Sequence, residues 1–310
     1  MMKLRDLGAL VLLAALWGGS FLFMRVAAPA LGPIVVAAMR VALAAFALLG
    51  YALAVGLRPG WRAAWRQFLI MGGLNAAIPF TLITAAELHL TAGLAAILNA
   101  TTPLFAALAA ALWLGERLTL AKGAGLFLGI CGVVVLVGWS PLPPGPLGFA
   151  SIGASLLAAL FYAVAGVYAK RTFVGIVPLR LALGQQLGAT ALLLPLAIPV
   201  GIATAPTLRP TPGVIAAILA LAILCTSVAY LLYFYLIASV GPTKTLSVTF
   251  LVPVFGLLWS TIFLHEPLGI STLLGFGLIL LSVLLVTGLR LRPARPATAD
   301  SAPISPSPTR

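Results

Sequence analysis

The chain has 310 residues, of which 62% are hydrophobic and 7% charged, and its mean hydropathy of +1.19 leaves too little polar surface to coat a water-soluble globule. In lipid every backbone N–H and C=O must be satisfied internally, which restricts the architecture to a helix bundle or a closed barrel. A net charge of +13 would suggest nucleic acid as the partner of a soluble protein. Here the basic residues fill short gaps between apolar runs, where they orient helices, and no nucleic-acid partner is expected.

Barrel strands alternate polar and apolar residues, whereas stretches such as Ala92 to Leu114 run apolar for the ~20 residues that a spanning helix needs. The first run follows Lys3 and Arg5 and resembles a signal peptide in outline. Trp17 and Gly18 interrupt its apolar core, however, and the segment recurs later in the chain, so it is read as span one. Apolar runs bounded by Gly, Pro and charge clusters predict spans at residues 7–27, 34–55, 67–88, 93–114 and 121–138. Five more follow at 147–169, 178–200, 213–237, 242–264 and 270–289. Cys131 and Cys225 stand alone inside apolar runs and read as small buried hydrophobes. The Pro-, Ala- and Ser-rich residues 291–310 predict a disordered cytoplasmic tail.

An even number of spans places both termini on one side. If that side is the cytoplasm, fifteen of the 18 Lys and Arg lie inward, Arg209 lies outward, and Arg25 and Arg40 fall within spans. This positive-inside bias predicts cytoplasmic N- and C-termini.

A shift of 145 residues places Pro33 on Pro178, Ala14 on Ala159, Arg25 on Lys170 and Trp17 on Tyr162. A shift of 150 places Pro103 on Pro253, Glu116 on Glu266 and Gly125 on Gly275. Each repeat holds an odd number of spans, so the second enters the membrane from the opposite side. The expected fold is an all-α membrane protein of ten helices in two inverted five-helix repeats, residues 1–140 and 141–290. Two inversely related bundles can expose a site between them first to one side and then to the other, which is the architecture of transporters.

Ala15-Leu16-Trp17-Gly18 with Phe21, Thr91-Ala92-Gly93-Leu94-Ala95-Ala96, Pro103-Leu104-Phe105 and Leu114-Gly115-Glu116-Arg117-Leu118-Thr119 form a recognisable pattern. It resembles the EamA family of the drug/metabolite transporter superfamily over residues 7–289, although the second half has His265-Glu266-Pro267-Leu268 in place of Gly-Glu-Arg-Leu. The resemblance implies a multi-pass protein of the bacterial inner membrane that exports metabolites, amino acids among them. It also implies a central cavity formed by spans one to four and six to nine, and it points first to the aromatic amino-acid exporters.

Several residues are candidates for the substrate site. Trp17, Ser20, Phe21 and Met24 recur at helical spacing, as does Tyr162 with Gly166, and they provide an aromatic face or ordinary packing in equal measure. Asn75 with Pro79, Asn99 and Thr102 with Pro103, and Thr249 with Pro253 each combine a polar group with a helix weakness. Proline frees a carbonyl one turn earlier, so Pro79, Pro103 and Pro253 are candidate hinges as well as structural kinks. Ser227 and Tyr230 belong to a polar, aromatic stretch of span eight, whose Tyr235 is read as an interfacial anchor. Arg40 is costly within a span, at roughly 2.5–3.5 kcal/mol on insertion scales, and serves either a substrate carboxylate or a structural partner. Arg25 is expected to snorkel outward, and Glu116 and Glu266 to receive N–H bonds from the helix that follows each.

The five acids are Asp6, Glu87, Glu116, Glu266 and Asp300, none of them at a predicted midpoint, so a carboxylate proton relay is poorly provided for. No metal motif, phosphate loop or nucleophile–base spacing points to an enzyme, and no cofactor is expected. The expected activity is export of small neutral or zwitterionic metabolites, amino acids first, by alternating access. The alternatives are a lipid-carrier flippase and an exporter of other metabolites or drugs. Membrane lipid is the expected surrounding partner, and Gly125 and Gly129 in span five favour close helix contact, within the chain or in a homodimer through span five or ten.

Overall fold

A computed structural model describes residues 3–57, 61–139, 146–205 and 211–287, so Arg58, Arg209, Arg290 and the predicted tail at 291–310 lie outside the described residues. Among the described residues, nine helices are long and apolar enough to cross a membrane. They are α1 Leu4–Leu31, α2 Pro33–Ala54, α3 Ala64–Ala86, α4 Ala92–Leu114, α5 Leu120–Gly138, α6 Pro146–Thr172, α7 Pro178–Thr204, α8 Pro212–Val240 and α10 Ile270–Thr287. The remaining one, α9 Val248–Leu264, is shorter at 17 residues and follows the helical turn Pro242–Thr245. No strand occurs among the described residues.

Proline opens α2, α6, α7 and α8, where its missing N–H costs nothing and its fixed φ suits the first turn. α1 and α2 meet at Gly32, whose φ of 76° is open to glycine without strain and turns the chain in a single residue.

The two halves are interleaved. α1 packs on α9, α2 and α3 on α7, α3 and α4 on α6, and α5 on α10. Lipid tails are as apolar as leucine, so close backbone approach must supply the packing that water would otherwise drive. A Cβ added at Gly18 would fall 2.7 Å from Phe255 Cβ, fixing the α1–α9 crossing. One added at Gly188 would fall 2.2 Å from Phe68 O, which lets α7 lie directly on α3. Gly125 and Gly129 are used in the same way within the chain. Their faces meet Ser282 and Val286 of α10, or Leu104 of α4. Away from these seams, Phe46, Leu112, Phe127 and Ile202 are 71–81% exposed, the apolar surface that acyl chains cover.

Two predicted spans are interrupted. α4 breaks at Ala100 and Thr101, and the predicted span at 242–264 divides before Val248. At the first break Pro103 cannot donate to the carbonyl of Asn99, and the Thr102 hydroxyl does so instead at 2.7 Å. Proline thus makes the discontinuity, and a neighbouring hydroxyl satisfies the carbonyl it frees.

Candidate functional site

Between the halves lies a cavity of about 360 Å³ lined from α1, α2, α3, α4, α6, α8 and α9. Its lining runs out to Leu246 and Thr249 at the end where Glu116, Lys122 and Lys170 lie together. In the other direction it stops at Met24, Ile83 and Ala96. The cavity is therefore blind on one side and reaches toward the basic side.

Of the candidates read from the sequence, Trp17, Ser20, Phe21, Met24, Arg40, Asn75, Asn99, Thr102, Tyr162, Tyr230 and Thr249 line this space, as do Pro103 and Pro253. Three candidates lie elsewhere. Pro79 is buried at the start of a regular helical stretch, because the wide turn before it ends there. Gly166 is exposed: it shares the face of Tyr162 but lies one turn nearer the end of α6, beyond the cavity lining. Ser227 faces α2 and bonds Ala222 O at 3.0 Å and Ala44 O at 3.4 Å.

Phe80, Val252 and Leu246 were not singled out and also line the cavity, as do Cys225, Thr226 and Tyr233 of the polar, aromatic stretch of α8. For α3 and α8 the signal is geometric. α3 is π-helical over Gly73–Ala77 and α8 over Ala220–Val228, at matching places in the two repeats. A π turn advances the helical phase by an extra residue and re-aims the side chains beyond it, and such turns concentrate at functional sites. Hydropathy cannot register that step.

Arg40 is 4% exposed. Its Nε donates to Thr226 Oγ1 at 3.0 Å and its Nη1 to Met24 Sδ at 3.5 Å, and the guanidinium lies 3.7 Å from the Phe80 ring centroid. Every one of these partners is neutral, and no carboxylate is within ion-pair distance of Arg40 among the described residues. Beside it, Asn75 Nδ2 donates to Gln185 Oε1 at 2.9 Å, joining α3 to α7. Trp17 and Tyr233 pack with ring centroids 5.5 Å apart.

The serine and threonine hydroxyls of the wall share one habit. Ser20 donates to Trp17 O at 2.6 Å, Thr249 to Leu246 O at 2.8 Å, and Thr226 to Leu221 O at 2.8 Å. With Thr102 bonded to Asn99 O, these groups have spent their protons on their own helices. Only their lone pairs are left to other partners.

The two ends of the bundle differ. At the blind end Glu266 accepts from Ala92 N at 3.0 Å and Gly93 N at 3.2 Å, the first amides of α4. The predicted bond to the following helix is replaced by one across the repeats, because the α4 start presents free N–H groups to the carboxylate. Arg25 does not extend outward freely. It donates to the carbonyl of Glu87 at the end of α3. At the basic end Glu116 meets Lys122 and Lys170, each at 3.4 Å, and hydrogen bonds from Lys122 and then Lys170 hold its carboxyl below the usual range. Tyr235 donates to Asp6 Oδ1 at 2.7 Å and accepts from Arg5 Nε at 2.7 Å, tying α8 to the start of α1.

Interleaved inverted repeats, broken helices and a cavity at the seam define a multi-pass membrane transporter. The EamA-like transporter family model matches residues 7–138 and 149–288, and the chain belongs to that family. It is 28% identical to the uncharacterized transporter YvbV of Bacillus subtilis, covering 92% of each chain. Identity to the uncharacterized inner membrane transporter YedA of Escherichia coli is 30%, over 94% of each. A probable terminal-alkyne amino-acid exporter of Streptantibioticus cattleyicolor is 28% identical over 94% of this chain and 96% of its own length. One solved crystal structure, at 21% identity, has a TM-score of 0.63 over 93% of this chain and 98% of that one, a likeness of fold. The protein is a transporter and not an enzyme.

Proposed function

We propose that this protein exports small neutral or zwitterionic metabolites, amino acids first, from the cytoplasm across a bacterial inner membrane by alternating access. The observation that carries this reading is the cavity's charge. Among the described residues that line it, Arg40 is the only Asp, Glu, His, Lys or Arg, set among aromatics and neutral polar groups. Such a wall suits a solute with an apolar body and at most one net negative charge, and it disfavours polyphosphates, which need several cations. The printed name of the Streptantibioticus relative, an amino-acid exporter, supports the same class. The cavity reaches toward the basic side, which the positive-inside rule assigns to the cytoplasm, so this conformation is ready to load solute there.

No Asp or Glu lines the cavity among the described residues, and the reading includes movement down the solute's own gradient. Full-length protein in proteoliposomes, offered a panel of labelled amino acids, is expected to give saturable uptake whose rate is unchanged by an imposed pH gradient. Uptake that vanishes without a proton gradient would remove the uncoupled mechanism, and absence of uptake for the whole panel would remove amino acids as the substrate class.

A further inference from the structure

Two polar groups on the cavity wall have incomplete bonding, and they are opposite in kind. Arg40 has five N–H groups. One goes to a hydroxyl and one weakly to a thioether, while Nη2 has no partner among the described residues. Thr226 is itself fixed as an acceptor, because its proton is given to Leu221 O. The guanidinium is thereby held in place, with Phe80 against its face and its free edge uncommitted. On α4, Asn99 Oδ1 is buried and has no hydrogen-bond partner, although Asn99 is part of the cavity lining.

The two groups also share a level. Arg40 is seven residues in from Pro33, where α2 begins, and Asn99 is seven in from Ala92, where α4 begins on the same side. At 1.5 Å per residue each sits ~10 Å below that end. Both are thus in the blind half of the cavity, while the Trp17–Tyr233 pair lies nearer the basic side.

We propose that Arg40 and Asn99 are the two specificity-determining poles of the site: the Arg40 edge takes the substrate's carboxylate, and Asn99 Oδ1 takes its amino group. This assignment rests on the amino-acid reading above and adds the orientation. The α-carbon is held at the blind level and the side chain points toward the Trp17 and Tyr233 rings. A cation with a free edge and an orphaned acceptor at one depth match the two ends of an α-amino acid. The serine and threonine hydroxyls of the wall, having donated their protons inward, add further acceptors for an ammonium group. The burial of both poles makes the match matter. A solute lacking one end leaves a desolvated group unpaired, and sites built this way reject such analogues.

The test compares four labelled compounds in proteoliposomes: phenylalanine, its amide, the deaminated acid 3-phenylpropionate, and phenethylamine. Wild-type protein is expected to favour phenylalanine over all three. Arg40→Gln should lower phenylalanine affinity roughly 10- to 100-fold, the loss of one or two charge-assisted bonds, and erase the preference for acid over amide. Asn99→Leu should spare that preference and erase the one for phenylalanine over 3-phenylpropionate. Thermal melting of the purified variants reports folding. If Arg40→Gln does not fold, the Asn99→Leu arm and the wild-type ranking still decide. If phenylalanine is carried and the variants keep the wild-type ranking, the two poles are wrongly assigned while the amino-acid reading stands. If wild type carries none of the four compounds but carries other metabolites, both fall together.

Discussion

Trp17 illustrates how one side chain serves packing and function at once. Its ring packs against Tyr233 of α8 and contributes to the cavity wall, so it links the two halves where they must also separate. An aromatic pair of this kind is worth about 0.5–1.5 kcal/mol beyond its area. Trp17→Ala is therefore expected to raise the KM of saturable uptake by roughly 3- to 10-fold with the fold intact, measured by initial rates in proteoliposomes. The glycines give the complementary case. Gly188 admits no Cβ beside Phe68 O, so Gly188→Ala is expected to cost about 1–3 kcal/mol of stability through overpacking. Gly166 is helical with open space around its Cβ position, and Gly166→Ala is expected to gain about 0.5–1 kcal/mol. Thermal melting in detergent separates the two.

At the scale of elements, asymmetry between the repeats defines the conformation. The shift of 150 that carries Glu116 onto Glu266 also carries Ala92 and Gly93 onto Pro242 and Thr243. Glu266 clasps the start of α4, while Glu116 is occupied by two lysines, in keeping with a cavity blind at one end and extended toward the other. Glu266→Ala is expected to loosen the blind end. Thr102 lines the cavity and is half-buried, so Thr102→Cys in a Cys131→Ala, Cys225→Ala background serves as the reporter. An impermeant maleimide should label this cysteine from the basic side alone when Glu266 is kept and from both sides in the Glu266→Ala variant. Labelling from both sides without the Glu266 change would show that the clasp does not close that end. The proline-marked breaks belong to this scale too. Pro103 was legible as a weak point in α4, but the Thr102 hydroxyl that satisfies Asn99 O became visible only with the backbone in place.

For the whole molecule, orientation follows from charge. Reagents that modify Lys122 and Lys170 are expected to act from the cytoplasmic face, and those that modify His89 from the opposite face. The reverse pattern would invert the direction assigned to the cavity. Composition, hydropathy and residue recurrence along the chain determined the membrane class, the spans to within about six residues and the internal repeat, because each is read along the chain itself: segment length against bilayer thickness, or recurrence at shifts of 145 and 150. They also singled out most of the lining residues, since polar and aromatic groups inside an apolar run need a protein or a cavity to face. Only the tertiary structure decided which faces meet. The interleaving of the halves, the Asn75–Gln185 and Arg40–Thr226 bonds and the reach of Glu266 to α4 all join residues far apart in sequence. Their energies depend on close approach in space, and the spacing of residues along one helix does not encode what its neighbour brings to the contact.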